Sequence, residues 1–511
     1  MSVAMKAAPR SWLYALVLAT LAFKLGLSAV FPVTGDEAYF IHWGVVPALG
    51  YYDHPPMIGW WLALLTRLSE APWVLRLPAT LLPAIMALSL YGILRRHEKV
   101  GEDKAALAAI GLLLVPIHVW NIFVTTDAPL VLFSFLSGLA FWRAVREDRG
   151  GMAWFALAGV FLGLACLSKY FAALLGLAYL AYMLVAGRGR RNWSGLALAY
   201  AAAFPFVALN LYWNYEHCWN NLMFNLYNRH DDAGWSWRSG ALYALSVLYL
   251  LPLPALYALC KGGRWRGVSN NPALLSFAVL AGFPLLLFAA LSIFRQVGLH
   301  WLLSFVPFFF AACALLLDRR ELKWAAVFGG VFSLLHVAVI AAAAMLPLER
   351  WQGSRLYDGI VFHFRIHDIV KELQRYEAEY EIAANGYSAA VTLSYYRGAY
   401  VFVFGEASSH ARHDDIATDF RALAGRNILV LRKSPPRDED YRPYFASVEY
   451  RTLSIAGADF HIVLGHKFDY PRYRDQVLTL VRDRYYRIPS YLPQASCDFC
   501  ERYFQSACPV R

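Results

Sequence analysis

Charge is what this sequence has least of. Only 16% of its 511 residues are Asp, Glu, Lys or Arg, where a soluble domain carries about 25%. Hydrophobic residues make up 59% and fall in long blocks, which excludes an ordinary soluble domain and implies a polytopic membrane protein. There is no Walker lysine loop, no dinucleotide glycine fingerprint and no His-Glu-x-x-His helix, so no motif supports a soluble nucleotide donor. Gly187-Arg188-Gly189-Arg190-Arg191 is glycine-rich, but no strand precedes it and it reads as a basic loop. Internal repeats and low-complexity tracts are missing too. Met1 to Arg10 is too short and too lightly apolar for a cleaved signal, so the first span is expected to be an uncleaved anchor.

Cysteine is sparse, with seven in the chain. Cys166, Cys218, Cys260 and Cys313 lie in or beside apolar blocks, while Cys497, Cys500 and Cys508 crowd the C-terminal end. The Cys497-x-x-Cys500 spacing suits a metal knuckle or a disulfide. Three Cys with no nearby His make a poor zinc set, and a disulfide fits if this end is extracytoplasmic.

The pattern predicts about eleven spans, near 11–31, 74–94, 104–121, 127–144, 152–167, 170–187, 194–212, 239–260, 273–293, 300–317 and 323–347. The net charge of +11 does not point to nucleic acid, because the basic residues sit in short loops on one side, as the positive-inside rule expects. Lys6 and Arg10 precede the first span. Arg95, Arg96 and Lys99, then Arg143, Arg146 and Arg149, then Arg188, Arg190 and Arg191 follow the second, fourth and sixth. Lys261, Arg264 and Arg266, then Arg319, Arg320 and Lys323, follow the eighth and tenth. This places the N-terminus in the cytoplasm. The opposite loops hold Asp36, Glu37, Asp53, His54, Asp127, Lys169, Glu216, His217, Arg229 and Arg295, so the unusual polar groups gather on the outer side.

The first outer loop, 32–73, is expected to carry two interfacial helices. One runs over Ala38–Leu49 with Tyr39, Phe40 and Trp43 at the membrane edge. The other runs over Met57–Leu68 with an Ile58-Trp61-Leu62-Leu65 face. Pro55-Pro56 forces an extended turn between them. The second outer loop, 213–238, runs from Trp213 to Arg229-His230-Asp231-Asp232 and is rich in aromatic and amide groups, which suits sugar contact or an interfacial belt. Beyond about residue 348 charges return and apolar runs shorten. A soluble α/β domain of about 160 residues (348–511) is expected there, outside the cytoplasm. Its predicted strands are 381–384, 400–404, 427–431, 448–454 and 459–465, and its helices 366–380, 389–396, 415–424 and 473–487. The membrane domain is then 1–347.

Several constellations admit both a chemical and a structural reading. Asp36-Glu37 offers a general base and a neighbour to hold a hydroxyl, or caps a helix beginning at Ala38. Asp53-His54-Pro55-Pro56 aims an imidazole that can meet a phosphate, or is a surface turn. Asp127-Ala128-Pro129 reads as a helix N-cap. Lys169, in Ser168-Lys169-Tyr170, breaks an apolar stretch and can hold an anionic lipid head or snorkel. Arg295 and His300 can face a phosphate or ordinary lipid heads.

Taken together, Thr34-Gly35-Asp36-Glu37-Ala38-Tyr39, Tyr51-Tyr52-Asp53-His54-Pro55-Pro56-Met57, Thr126-Asp127-Ala128-Pro129-Leu130 and Leu167-Ser168-Lys169-Tyr170 resemble the bacterial glycosyltransferase family 39 pattern. That family is related to the dolichyl-phosphate-mannose protein mannosyltransferases and the aminoarabinose transferases of lipid A. The resemblance spans about residues 10–310 and leaves the C-terminal domain unrecognised. It implies a C-type glycosyltransferase fold and a polyprenyl-phosphate-linked sugar donor used on the outer face, with Asp36 as catalytic base. Aminoarabinose transferases carry Glu-Lys where this chain has Asp53-His54, and their lysine contacts the donor phosphate. Phosphate neutralisation would then fall to His54, shared with Lys169 and Arg295.

The expected reaction is a single displacement with inversion. Asp36 deprotonates an acceptor hydroxyl, and Glu37 orients the acceptor or the base. Asp53 supports His54, and Tyr39, Tyr170, Glu216 and His217 contact substrate. The acceptor is a glycan, a lipid A-type lipid or a protein hydroxyl at the periplasmic face of a bacterial inner membrane. Adjacent acids can bind a divalent cation, but the resemblance implies that none is required. The rival readings are a flippase or transporter of lipid-linked sugars, whose sites belong near the midplane, and an outer-face oligosaccharide ligase.

Overall fold

The computed structural model describes residues 9–147, 150–186, 189–229, 234–261, 263–408, 411–493, 496–505 and 508–510. Lys6, Arg149, Arg188, His230, Asp231 and Asp232, which entered the reading above, lie outside the described residues. The chain divides into two compact units. One gathers 1–30, 68–208 and 232–343, and the other gathers 31–67, 209–231 and 344–511.

The first unit is helical. Among the described residues of the whole chain, seven helices are long and apolar enough to cross a membrane: Pro9–Val30, Pro72–Arg96, Asp127–Arg146, Arg190–Glu216, Pro272–Ser292, Leu299–Leu316 and Arg319–Met345. Each overlaps an expected span. The expected span 239–260 is a helix pair, Trp237–Leu250 and Leu253–Leu259, bent by 100°. The break falls at Leu251-Pro252, where proline withdraws a backbone donor. Segments 152–167 and 170–187 are the shorter apolar helices Gly151–Cys166 and Tyr170–Ala186. The expected span 104–121 is a helix over Glu102–Leu113 followed by a 3-10 turn at Pro116–Trp120.

In the second unit the strands β1 (Glu381–Ala384), β2 (Phe402–Val403), β3 (Ile428–Arg432), β4 (Phe445–Ile455) and β5 (Ala458–Phe468) form one sheet in the order β2-β1-β3-β5-β4. The first three are parallel, and β5 joins β3 and β4 antiparallel. Strand alternation sends side chains to two opposite cores. Ile382, Ala384, Leu429, Leu431, Ile462 and Leu464 enter one with Ala390 and Leu393. Ala383, Ile428, Val430 and Val463 enter the other with Phe420, Tyr473 and Val481. Burial on both faces explains the near-continuous apolar runs of β1 and β3. The helix expected at 415–424 is broken into Asp414–Ala417 and a 3-10 turn Phe420–Leu423. Asp419 interrupts it by accepting the N–H of Arg421.

Residues 31–67 and 209–231, most of the two expected outer loops, belong to this same unit. Tyr52 from the first, and Cys218, Trp219, Met223 and Phe224 from the second, are part of the second core. Cys218 is bonded to Cys497, 279 residues away, and Cys500 to Cys508. The sulfurs of Cys218, Cys497 and Cys508 lie within 4.8 Å of one another, but each is in a disulfide, so none is a thiolate available to a metal.

Candidate active site

The Asp36-Glu37 helix begins earlier than the sequence suggests. It spans Gly35–Val45, with Thr34 as N-cap, so both acids sit in its first turn. Thr34 and Glu37 form a reciprocal capping box: the Glu37 N–H donates to Thr34 Oγ1 at 3.4 Å, and the Thr34 N–H donates to Glu37 Oε2 at 3.1 Å. This satisfies two backbone donors that a helix start leaves open. Glu37 is buried by this arrangement, at 1% exposure. Asp36 is exposed and accepts the Tyr387 hydroxyl at Oδ1, 2.9 Å away.

Tyr387 opens the helix Tyr387–Arg397, which follows β1. That helix lies so close to the acidic turn that a Cβ on Gly35 would stand 2.2 Å from Ser388 Oγ. Only glycine fits there. Burial, then the charge of Asp36, raises the Tyr387 phenol above its usual range, so it remains a donor.

Tyr39, Phe40 and Trp43 are 4%, 8% and 0% exposed. They are packed inside the protein and do not form the expected membrane-edge belt. Trp43 stacks on Tyr51 at 4.0 Å, with the planes 3° apart, and Phe40 meets the Trp43 ring edge-on. The Tyr39 hydroxyl donates to Asp53 Oδ1 at 3.1 Å and accepts the backbone N–H of His413 at 3.3 Å. Nδ1 of His54 stands 3.3 Å from Oδ2 of Asp53. Burial pushes the Asp53 carboxyl up, but the adjacent His54 and the Tyr39 hydroxyl outweigh it, and the net shift is downward. Burial also pushes Tyr39 well above the usual phenol range. It lowers the His413 imidazole to about 4, so His413 is neutral at pH 7. One face of the site is thus a chain of fixed groups: Tyr387–Asp36, and His413–Tyr39–Asp53–His54.

The segment bearing His413 is itself anchored. Arg412, 3% exposed, holds Asp415 through Nε at 2.7 Å and Nη2 at 2.8 Å. Tyr486 adds a hydroxyl to Asp415 Oδ2 at 2.8 Å. Asp414, half-buried beside Asp415, has its carboxyl raised, by desolvation first and by that neighbouring charge second.

The amides of the second outer loop turn inward. Asn221 donates to the Tyr51 carbonyl at 3.1 Å, and Asn225 donates to that of Asp53 at 3.2 Å. Asn228 reaches the Tyr52 hydroxyl at 3.4 Å and the Tyr485 carbonyl at 3.1 Å. They set the backbone of the Asp53-His54 turn. Glu216 accepts the Tyr212 hydroxyl, and His217 Nδ1 lies 2.9 Å from the Trp213 carbonyl with its ring stacked on that indole. Both are engaged within their own turn. Arg229 lies over the Phe224 ring at 5.7 Å. Burial lowers its guanidinium, and the charge of Asp53 pulls the other way.

The remaining predicted residues are in the other unit. Lys169, 9% exposed, pairs with Asp127 Oδ1 at 2.8 Å. Asp127 is the first residue of its helix, after Thr126, and does not act as the expected N-cap. Tyr170 starts a 3-10 turn whose Phe171 packs on Trp301 at 4.1 Å. This sets the Lys169 turn against the segment that follows Arg295. Arg295 is half-buried and makes no ion pair among the described residues.

Comparison with known proteins agrees with this architecture. Residues 53–213 match the family model described as dolichyl-phosphate-mannose-protein mannosyltransferase. The chain is 29% identical over 185 residues to the lipid A galacturonosyltransferase RgtD of Rhizobium johnstonii, a match covering 36% of this chain and 38% of that relative. The crystal structure of ArnT from Cupriavidus metallidurans in the apo state matches with a TM-score of 0.60 at 16% identity, covering 89% of this chain and 98% of that one. The structure of the same protein bound to undecaprenyl phosphate matches equally, with a TM-score of 0.60 at 16% identity and the same coverage. The fold is that of the C-type membrane glycosyltransferases: a multi-pass helical membrane region with a C-terminal α/β domain.

Proposed function

We propose that this protein transfers a sugar, with inversion, from a polyprenyl-phosphate donor to a hydroxyl acceptor at the periplasmic face of a bacterial inner membrane. The N-terminus is cytoplasmic in this reading, and the C-terminal domain is periplasmic. Two disulfides in the second unit support an oxidising compartment for it. The observation that carries the proposal is Asp36, an exposed carboxylate with one oxygen fixed by Tyr387. It takes the proton of the acceptor hydroxyl. The acceptor oxygen then bonds to the anomeric carbon as the carbon–oxygen bond to phosphate breaks, and polyprenyl phosphate leaves with the electron pair. Asp53 and Tyr39 orient His54, which stabilises the departing phosphate. Lys169 and Arg295, in the other unit, are assigned as further donor-phosphate groups on the sequence pattern. Tyr170, Glu216 and His217 are peripheral substrate contacts. Glu37 acts by holding the turn.

The ArnT structure with undecaprenyl phosphate supports the donor class. The lipid A galacturonosyltransferase relative supports a lipid A-type acceptor over a protein one. The test is transfer from a synthetic short-chain polyprenyl-phosphate sugar by protein reconstituted in lipid. Glycosylated acceptor and free polyprenyl phosphate are expected in equal amounts. Movement of donor across the bilayer without transfer would make the protein a flippase, and transfer of a preassembled oligosaccharide alone would make it a ligase. No metal is needed in this mechanism. A rate unchanged by chelator is expected, and loss of rate restored by a divalent cation would overturn that part.

A further inference from the structure

A cavity of about 320 Å³ opens in the α/β domain, lined by Asn385, Arg432, Glu439, Asp440, Tyr441 and Tyr444 among others. Its position follows from the sheet. In the order β2-β1-β3 the chain leaves β1 toward one neighbour and comes back on the other side. The connecting loops therefore part at the carboxyl ends of the parallel strands, where open α/β sheets take their ligands. Asn385 and Arg432 stand at those ends, directly after β1 and at the last position of β3. Phe404 and Gly405, after β2, complete that edge.

The lining chemistry narrows the ligand. Arg432 donates from Nη1 to the Tyr441 hydroxyl at 3.0 Å and to Asp440 at 3.2 Å. The other charges cancel locally: Arg437 pairs with Asp440 at 3.0 Å and with Glu439 at 3.2 Å, and Arg484 pairs with Glu406 at 2.8 Å. Among the described residues these pairs leave the lining charges matched. The amide of Asn385 and the hydroxyls of Tyr441 and Tyr444 line the pocket with the ring of Phe404, and hydroxyls that both donate and accept suit such a set. The volume is at the small end of ligand pockets, which run from about 300 to 1,000 Å³.

We propose that this switch-point pocket binds a neutral saccharide residue of the acceptor. Its acceptor role rests on the transferase reading above, whereas the saccharide binding does not. Asn385 is separated only by Gly386 from Tyr387, the donor to Asp36. One β1–helix turn thus lines the pocket and fixes the base.

The test uses the full chain in lipid nanodiscs, with saturation-transfer NMR against glucose, galactose, mannose, N-acetylglucosamine and glucuronate. At least one neutral sugar binds. Asn385→Ala and Tyr444→Phe each weaken that binding about tenfold with melting unchanged, while Asp36→Asn binds as the parent does. In transfer assays the two pocket variants raise the acceptor KM and keep kcat. Binding of glucuronate alone would overturn the neutral-sugar assignment. No sugar bound, or binding indifferent to both pocket variants, would overturn the pocket. Sugar binding lost with the acceptor KM unmoved would refute the acceptor role. Sugar bound by a parent protein that transfers nothing from polyprenyl-phosphate sugars would instead refute the transferase reading and leave the pocket standing.

Discussion

Asp36 and Glu37 share a peptide bond and have opposite environments. Glu37 is buried at 1% exposure and tied to Thr34 in the capping box. Asp36 is exposed and accepts the Tyr387 hydroxyl from the end of a helix 351 residues further along the chain. The difference follows from helix geometry. Consecutive side chains point about 100° apart at 3.6 residues per turn, so a helix start with two adjacent acids turns one back to its own cap and presents the other. Two neighbouring carboxylates are therefore one structural group and one chemical group.

The largest expected effect separates the two acids. Asp36→Asn lowers kcat by about 10²–10⁴-fold, the range of a positioned general base, with the melting temperature held. Glu37→Ala instead lowers stability by about 0.5–2 kcal/mol, as loss of a cap does. Transfer rates and thermal unfolding of both variants check this, and equal kcat losses would erase the distinction. Next in size is Gly35→Ala. The added methyl meets Ser388 at the helix that carries Tyr387, and overpacking of this kind costs about 1–3 kcal/mol. Both stability and kcat fall. Gly35→Ala joined with Ser388→Gly recovers most of the loss, because the clash is removed from the other side.

Tyr387→Phe is smaller, at about 0.5–1.5 kcal/mol for one hydrogen bond, and it appears in kcat with acceptor KM unchanged. A further effect is read as a pH dependence and belongs to His413, whose folded value near 4 lies below its usual 6.5. The unfolded chain then binds the proton more readily, so this residue removes stability as pH falls from about 6.5 to about 4. Asp414, raised by burial, works in the opposite direction over an overlapping range. The comparison is therefore made against His413→Gln, which loses less stability over that interval than the parent in denaturant melts at stepped pH.

How much of this could be read from residues alone depended on chain distance. The α/β domain showed itself because two-sided strands are compositionally loud: Asn427–Leu431 was expected and Ile428–Arg432 is the strand. The long membrane helices were equally plain. The short ones, such as Glu102–Leu113, were overextended because an apolar run does not mark where proline ends a helix. The site divided in the same way. Asp36, Asp53 and His54 lie in compact motifs and could be picked out. Tyr387 and His413 could not, since their partners Asp36 and Tyr39 are 351 and 374 residues away, and a tyrosine or histidine in a soluble domain carries no local sign of such a contact. The aromatic and amide-rich loop 213–238 suited either sugar contact or an interfacial belt. Its composition did not show that Asn221, Asn225 and Asn228 bond the backbone of their own unit.

The central claim is a single displacement in which Asp36 serves as base and never bonds to the sugar. The anomeric configuration of the product tests it most directly, read by NMR on acceptor glycosylated from a polyprenyl-phosphate sugar of known configuration. Inversion is the predicted result. Retention of the donor configuration would require a covalent sugar–enzyme intermediate or an equivalent second displacement, and would contradict the role given to Asp36.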